Sequence, residues 1–181
     1  MKVQPVFVVP MYHGSIPNWD VNKKKILESL PPLEKLGNIY SDYTGDELPS
    51  YNELILDIIS PVFYDSPFRE IHLTDMWCQK AYKDMNHGVH NHGPLGWSSI
   101  LYVELNSEVH GTTKFLSPFL DPDRGYINQI FAPVKEGDIV VFPSTIAHEM
   151  VENKSDEVRT VISFNFKTCL PPSTKHVIMT S

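Results

Sequence analysis

From Leu73 onward the apolar residues of this chain recur with a period close to two, in short runs cut by Gly, Pro, Asn and Asp. Side chains along a strand alternate between two faces, whereas a helix needs apolar residues three and four apart, so this stretch can bury an apolar face as sheet but not as helix. The runs predict strands over Thr74–Tyr82, Trp97–Leu105, Thr112–Leu116, Tyr126–Val134, Asp138–Phe142 and Arg159–Lys167. Many short strands with turn signals between them suggest an all-β sandwich or barrel.

The N-terminal third reads differently. Val3–Val9 is rich in β-branched and aromatic residues and predicts a first strand. Asp20 can cap a helix carrying Val21, Ile26, Leu27 and Leu30, which Pro31-Pro32 ends. A second helix is expected from the capping box Ser50-x-x-Glu53 and the apolar set Leu54, Ile55, Ile58 and Ile59, with Pro61 as its stop. Between them Gly37–Pro49 is polar and turn-rich, a surface loop or a mobile flap. With 181 residues the chain can enclose one sizeable core and is short for two. The expected architecture is mainly β: one domain over 1–181, a jelly roll (double-stranded β-helix) over about 73–168, with helical support over about 15–65 packed on the larger sheet.

Alternation also separates the faces of two strands. In Trp97–Leu105, Trp97, Leu101, Val103 and Leu105 share one face, while Ser98, Ile100, Tyr102 and Glu104 share the other. In Arg159–Phe166, Ile162, Phe164 and Phe166 oppose Arg159, Val161, Ser163 and Asn165. The apolar faces need a cover, which the helices can supply. The mixed faces then line the inside of the roll, where polar groups require a ligand or water.

Fifteen Lys and Arg stand against 22 Asp and Glu, a net charge of -7, and no basic run could track a phosphate backbone. Nucleic acid is therefore not an expected partner. Cys78 and Cys169 lie far apart, without a Cys-x-x-Cys pair or a secretory leader, and are expected to be free thiols. Val6–Met11 is too short to span a membrane and is broken by Pro10. A soluble cytoplasmic protein is the expectation.

Eight histidines are present, and three fall in Asn86-His87-Gly88-Val89-His90-Asn91-His92-Gly93-Pro94, just before a strand. Residues two apart at a strand end point to one side, so His90 and His92 can present two imidazoles to one ion. A third ligand should arrive from a distant strand, and His148, after the buried run Ile139–Phe142 and the break at Pro143, fits. Imidazole suits iron, zinc, copper and nickel alike, so spacing leaves the metal open. An isolated His-x-His is as readily a pair of surface turn residues.

The order of the remaining residues narrows the choice. The segments HNHGPLGWSSILYVEL, HGTTKFLSPF and EGDIVVFPSTIAHEMVENKSDEVRTVISFNF resemble the 2-oxoglutarate/iron(II) oxygenases of the prolyl-hydroxylase type. They look closest to a small branch found in bacteria and their phages, with His-x-His before a Ser-rich strand ending in Tyr-Val. The resemblance covers Trp77 to Phe166, about half the chain.

It implies iron(II), 2-oxoglutarate and dioxygen, with metal ligands at His90 and His148. Arg159 occupies the position of the arginine that grips the far carboxylate of 2-oxoglutarate, which a planar guanidinium can do with two parallel hydrogen bonds. Tyr102 matches the tyrosine that donates its hydroxyl to the same carboxylate. Ser163 is implied beside the cosubstrate, and Asn165, Trp97 and Ile100 along the substrate and oxygen pocket, with Trp77 and Tyr82 as further aromatics at its mouth. The family usually has a carboxylate where this chain has His92, so either His92 is the second ligand or a carboxylate such as Asp84 takes its place. Lys114, an anchor for 2-oxoglutarate in some relatives, is expected on the outer face and solvated.

The implied activity is a 2-oxoglutarate-dependent dioxygenase that hydroxylates a peptide, protein or small molecule, peptidyl proline being nearest by motif order, in the host cytoplasm if phage-encoded. Two readings compete: a three-histidine cupin-like dioxygenase that oxidises a small thiol without 2-oxoglutarate, and a jelly-roll binding module without catalysis. Oligomeric state is left open.

Overall fold

Period-two alternation is realised as two antiparallel sheets in the computed structural model, which describes residues 7–45, 47–64, 66–68 and 70–168. In chain order the elements are β1 (Tyr12–Ser15), α1 (Trp19–Ser29), β2 (Glu34–Leu36), β3 (Ile39–Ser41), α2 (Asn52–Tyr64), β4 (Ile71–Ala81), β5 (His87–His90), β6 (Trp97–Glu104), β7 (Thr113–Leu120), β8 (Ile127–Phe131), β9 (Asp138–Pro143), β10 (His148–Met150) and β11 (Arg159–Thr168). A seven-stranded sheet runs β1-β9-β6-β11-β4-β3-β2, and a four-stranded sheet runs β5-β10-β7-β8. This is the jelly roll expected from the sequence.

The two faces of the larger sheet divide as the alternation requires. Leu101, Val103, Ile139, Ile162, Phe164 and Phe166 bury against Ile26 of α1 and Ile55, Ile59 and Phe63 of α2. Each fully buried Ile, Leu or Phe contributes about 1.5–3 kcal/mol, which outweighs the small intrinsic helicity of two short helices and holds them on the sheet. On the other face Ile100, Tyr102, Val140, Phe142 and Val161 pack between the sheets with Phe115 and Ile146. No helix among the described residues is long and apolar enough to cross a membrane.

Several boundaries differ from expectation, each for a local reason. Residues 3–6 of the strand expected over Val3–Val9 lie outside the described residues, and Phe7–Met11 has no regular structure. Phe7 stacks on Phe119 instead, ring centroids 5.6 Å apart. Asp20 lies within the first turn of α1, where its charge favours the helix N-terminus, while Asn18 in a left-handed conformation (φ 51°) takes the cap position. Leu30, one residue before Pro31, is extended and ends the helix.

The second helix passes through Pro61 rather than stopping there. A proline at 61 cannot donate to the Asp57 carbonyl, and Ser60 Oγ donates to that oxygen at 2.9 Å in its place. Burial of Ile58, Ile59 and Phe63 supplies the rest of the compensation. Part of the Gly37–Pro49 segment is sheet: β2 and β3 form a hairpin that turns through Gly37 at φ 60° and pairs Tyr40 and Ser41 with Lys80 and Gln79 of β4. Of the two cysteines, Cys78 is a buried free thiol and Cys169 lies outside the described residues.

Candidate functional site

Strand β11 lies between β4 and β6, and its register sets inward-facing residues of three strands side by side. Asp75, Asn165 and Ser98 form one row; Trp77, Ser163 and Ile100 form the next; Gln79, Val161 and Tyr102 the third. Arg159 closes the inner end opposite Ala81. The smaller sheet faces these rows, with His148 of β10 paired to His90 of β5 on one side and to Phe115 of β7 on the other. Neither β5 nor β10 was expected from the sequence, being only 4 and 3 residues long.

At the mouth of the space between the sheets, ring nitrogens of His90, His92 and His148 all lie within 4.8 Å of one another. Each imidazole is oriented through Nδ1: His90 towards Gly88 O at 2.8 Å, His148 towards Ile146 O at 3.0 Å, and His92 towards Asn165 Oδ1 at 2.7 Å. An oxygen acceptor at Nδ1 holds the proton there and leaves the Nε2 lone pair for a metal. The loop carrying His92 is pinned by two backbone bonds, His92 N–H to Ser144 O at 2.9 Å and Ser144 N–H to Gly96 O at 3.1 Å.

Burial, reinforced by the charges of His90 and His92, pushes His148 down to about 3. Burial likewise lowers His92, against a partly compensating hydrogen bond to Asn165. Both are neutral at pH 7, the form that binds a metal without first releasing a proton. Three converging imidazoles fit iron(II), among other borderline divalent ions.

Arg159 is 3% exposed at the inner end of the same cavity. Its Nη2 donates to Thr113 Oγ1 at 3.4 Å, its guanidinium carbon lies 5.6 Å from the Tyr102 ring centroid, and its Nε is buried without a partner. Burial depresses its pKa, the sign of a desolvated charge. An unpaired buried guanidinium is costly, and an anion entering the cavity would offset that cost. Tyr102 is fully buried, and its hydroxyl donates to the same Thr113 Oγ1 at 2.8 Å.

Of the residues singled out in the sequence, His90, His92, His148, Arg159, Ser163 and Ile100 line this cavity, and Tyr102 reaches it through Thr113. Asn165 stands outward of them beneath His92. Trp97 is not a pocket residue. Alternation puts it on the opposite face, where its ring meets Phe68 at 4.9 Å and Tyr12 at 5.7 Å. Trp77 does line the mouth, 5.4 Å from His92, whereas Tyr82 is exposed beyond the end of β4 and packs on Tyr40.

Asp84 is an exposed turn residue with φ 63°, outside the group of converging histidines. Lys114 sits on the outer face but is not freely solvated: it pairs with Glu149, the two side chains only 19% and 20% exposed.

Sequence reasoning passed over four residues. His87 lies face to face with His90, ring centroids 4.1 Å apart, because an irregular register in β5 turns both to one side. Its Nδ1 is 3.3 Å from Gln79 Nε2, and burial pushes it down to about 4. Thr113 joins Tyr102 to Arg159, and Asp75 accepts from Asn165 Nδ2 at 3.4 Å. Reading the alternation of β4 as that of β6 and β11 was read would have placed Asp75, Trp77 and Gln79 on the cavity face.

The solved structures with similar folds include HygX from Streptomyces hygroscopicus with nickel, 2-oxoglutarate and hygromycin B bound (TM-score 0.61, 13% identity, 90% of this chain and 84% of that one). They also include a prolyl-4-hydroxylase from Pseudomonas putida (TM-score 0.51, 16% identity, 88% and 93%). A third is the viral collagen prolyl hydroxylase of Paramecium Bursaria Chlorella virus-1, in complex with 2-oxoglutarate (TM-score 0.56, 13% identity, 88% and 97%). At these identities the likeness is one of fold. No curated protein matches the sequence. The family described as "Putative 2OG-Fe(II) oxygenase" matches residues 75–165, from Asp75 to its row partner Asn165 and so across the segments that carry the three histidines and Arg159, and this chain belongs to that family.

Proposed function

We propose that this chain is an iron(II)- and 2-oxoglutarate-dependent hydroxylase in which His90, His92 and His148 hold the metal and Arg159 pairs with the far carboxylate of 2-oxoglutarate. The observation that carries this reading is the buried Arg159, whose Nε lacks a partner while its cavity opens towards three oriented histidines. A dicarboxylate in that cavity would give the guanidinium its missing acceptor. Tyr102 and Thr113 add hydroxyls beside it, and Ile100, Val161 and Ser163 border the cosubstrate chain. When bound, iron(II) and 2-oxoglutarate supply activation of dioxygen, with succinate and carbon dioxide as co-products and a hydroxylated C–H bond as product.

Peptidyl proline is the substrate to test first. The outer cavity is walled by Leu36, next to the β2–β3 turn, by Tyr43 and by Trp77, the last two rings 5.1 Å apart and near perpendicular. Such a wall suits an apolar pyrrolidine ring. The prolyl hydroxylases among the similar folds support the same choice. The thiol-oxidising alternative uses no 2-oxoglutarate, and Arg159 would serve it only where the thiol substrate itself carries a carboxylate. Incubation with iron(II), 2-oxoglutarate, dioxygen and a proline-rich peptide is expected to release succinate in step with hydroxyproline. Thiol oxidation that runs equally well without 2-oxoglutarate would overturn the proposal.

A further inference from the structure

Most relatives of this architecture put a carboxylate where this chain has His92, so three neutral imidazoles leave the metal with one more unit of positive charge. The row beneath His92 contains a carboxylate one step further out. His92 Nδ1–H donates to Asn165 Oδ1 at 2.7 Å, and Asn165 Nδ2 donates to Asp75 Oδ2 at 3.4 Å. Ser98 Oγ donates to the same Asn165 Oδ1 at 2.7 Å, and Thr74 Oγ1 donates to Asp75 Oδ2 at 2.9 Å. Sheet register enforces the alignment, because Asp75, Asn165 and Ser98 are direct neighbours on β4, β11 and β6.

Resting on the ligand set proposed above, we infer that Asp75 is a positioning residue that acts through the Asn165 amide to supply His92 with the negative charge its imidazole lacks as a metal ligand. A carboxylate on the donor side of an amide polarises it, so the amide oxygen accepts more strongly at the far side. A stronger acceptor at Nδ1 makes Nε2 more basic and orients the ring, as a directly bonded carboxylate does in carboxylate–histidine–metal arrangements. Interposing an amide keeps Asp75 at the rim of the outer cavity, where it is half-buried and close to water, rather than in the dry metal environment.

The test uses the full chain loaded anaerobically with iron(II) alone, so that it does not depend on 2-oxoglutarate. Iron affinity and the iron(III)/iron(II) midpoint potential are measured in the wild type, Asp75→Asn, Asp75→Ser, Asp75→Glu and Asn165→Asp. Asp75→Asn is expected to weaken iron(II) binding about tenfold or more, the usual cost of losing an outer partner. It should also disfavour iron(III) relative to iron(II) about tenfold further, a rise of about 59 mV for a one-electron couple. Asp75→Glu should retain most of both properties. Asn165→Asp, which puts a carboxylate directly on His92, should move the potential downward, and Asp75→Ser carries the test of Asp75 if Asp75→Asn fails to fold. Unchanged affinity and potential in the folded Asp75 variant, Asp75→Asn or Asp75→Ser, would overturn the inference while leaving the proposed function standing. A wild-type chain that binds no iron would overturn both, whereas one that binds iron but not 2-oxoglutarate would overturn only the proposed function.

Discussion

Tyr102 and Arg159 meet at one hydroxyl: Thr113 Oγ1 accepts from Tyr102 Oη at 2.8 Å and from Arg159 Nη2 at 3.4 Å. One neutral acceptor does not compensate a buried guanidinium. Replacing Arg159 with Leu is therefore expected to weaken 2-oxoglutarate binding by about 1.5–3 kcal/mol, the worth of a charge-assisted pair, with iron affinity nearly unchanged. Without ligand the variant should melt no lower than wild type, since it loses an uncompensated charge, but a given concentration of 2-oxoglutarate should raise the melting temperature of the wild type more than that of the variant. Calorimetric titration and thermal melts check both halves.

The proposed metal ligands are separable by substitution. His90→Ala, His92→Ala and His148→Ala should each lower iron occupancy, measured by metal analysis after dialysis. His92→Asp should retain binding, because it restores a facial set of two histidines and one carboxylate. Asp84→Ala should leave occupancy unchanged, its side chain being part of an exposed turn.

Stability of the metal-free protein should fall as pH drops below about 6.5. His148 and His87 are held down at about 3 and about 4 by burial, while in the unfolded chain they titrate near the ordinary imidazole value. Between those limits the unfolded state binds more protons, so acidification favours unfolding, by up to about 1.4 kcal/mol per pH unit for each group. Melting temperatures from pH 7 to pH 5 should show the decline, and His87→Gln should make it shallower.

Gly96 has φ 95°, and a Cβ there would stand 2.7 Å from the Phe166 backbone oxygen, which cannot swing aside. Gly96→Ala is expected to cost about 1–3 kcal/mol in stability. Because the Gly96 carbonyl holds Ser144, which in turn holds the His92 backbone, the variant should also bind iron more weakly than its stability loss alone requires. Denaturant melts and iron titration separate the two effects.

Much of the site was legible because alternation is a strict rule. Once Ile162, Phe164 and Phe166 are read as one face, Arg159, Val161, Ser163 and Asn165 must share the other. Some of what escaped follows the same rule where it was not applied, as on β4, whose alternation sets Asp75 and Gln79 on the cavity face, and the rest lies outside it. The same rule contradicted Trp97 as a pocket residue, since it shares a face with Leu101 and Val103. His87 reached the cavity through an irregular register in β5. The Pro61 break was overridden by a serine hydroxyl one residue earlier, and β10 is too short for a periodic signal. Thr113 joins the site because β7 and β10 pair across a long sequence gap.

On the proposed function, one cavity holds metal and dicarboxylate together, with the histidines at its mouth and Arg159 at its inner end. An anaerobic titration with iron(II) and 2-oxoglutarate, followed by visible absorption, tests it most directly, because a metal-to-ligand charge-transfer band requires both to bind in contact. The expected result is a band that appears only when both are present, saturates at one equivalent of iron, and is absent from His148→Ala. A protein that binds iron(II) and 2-oxoglutarate separately but never develops the band would rule out this arrangement.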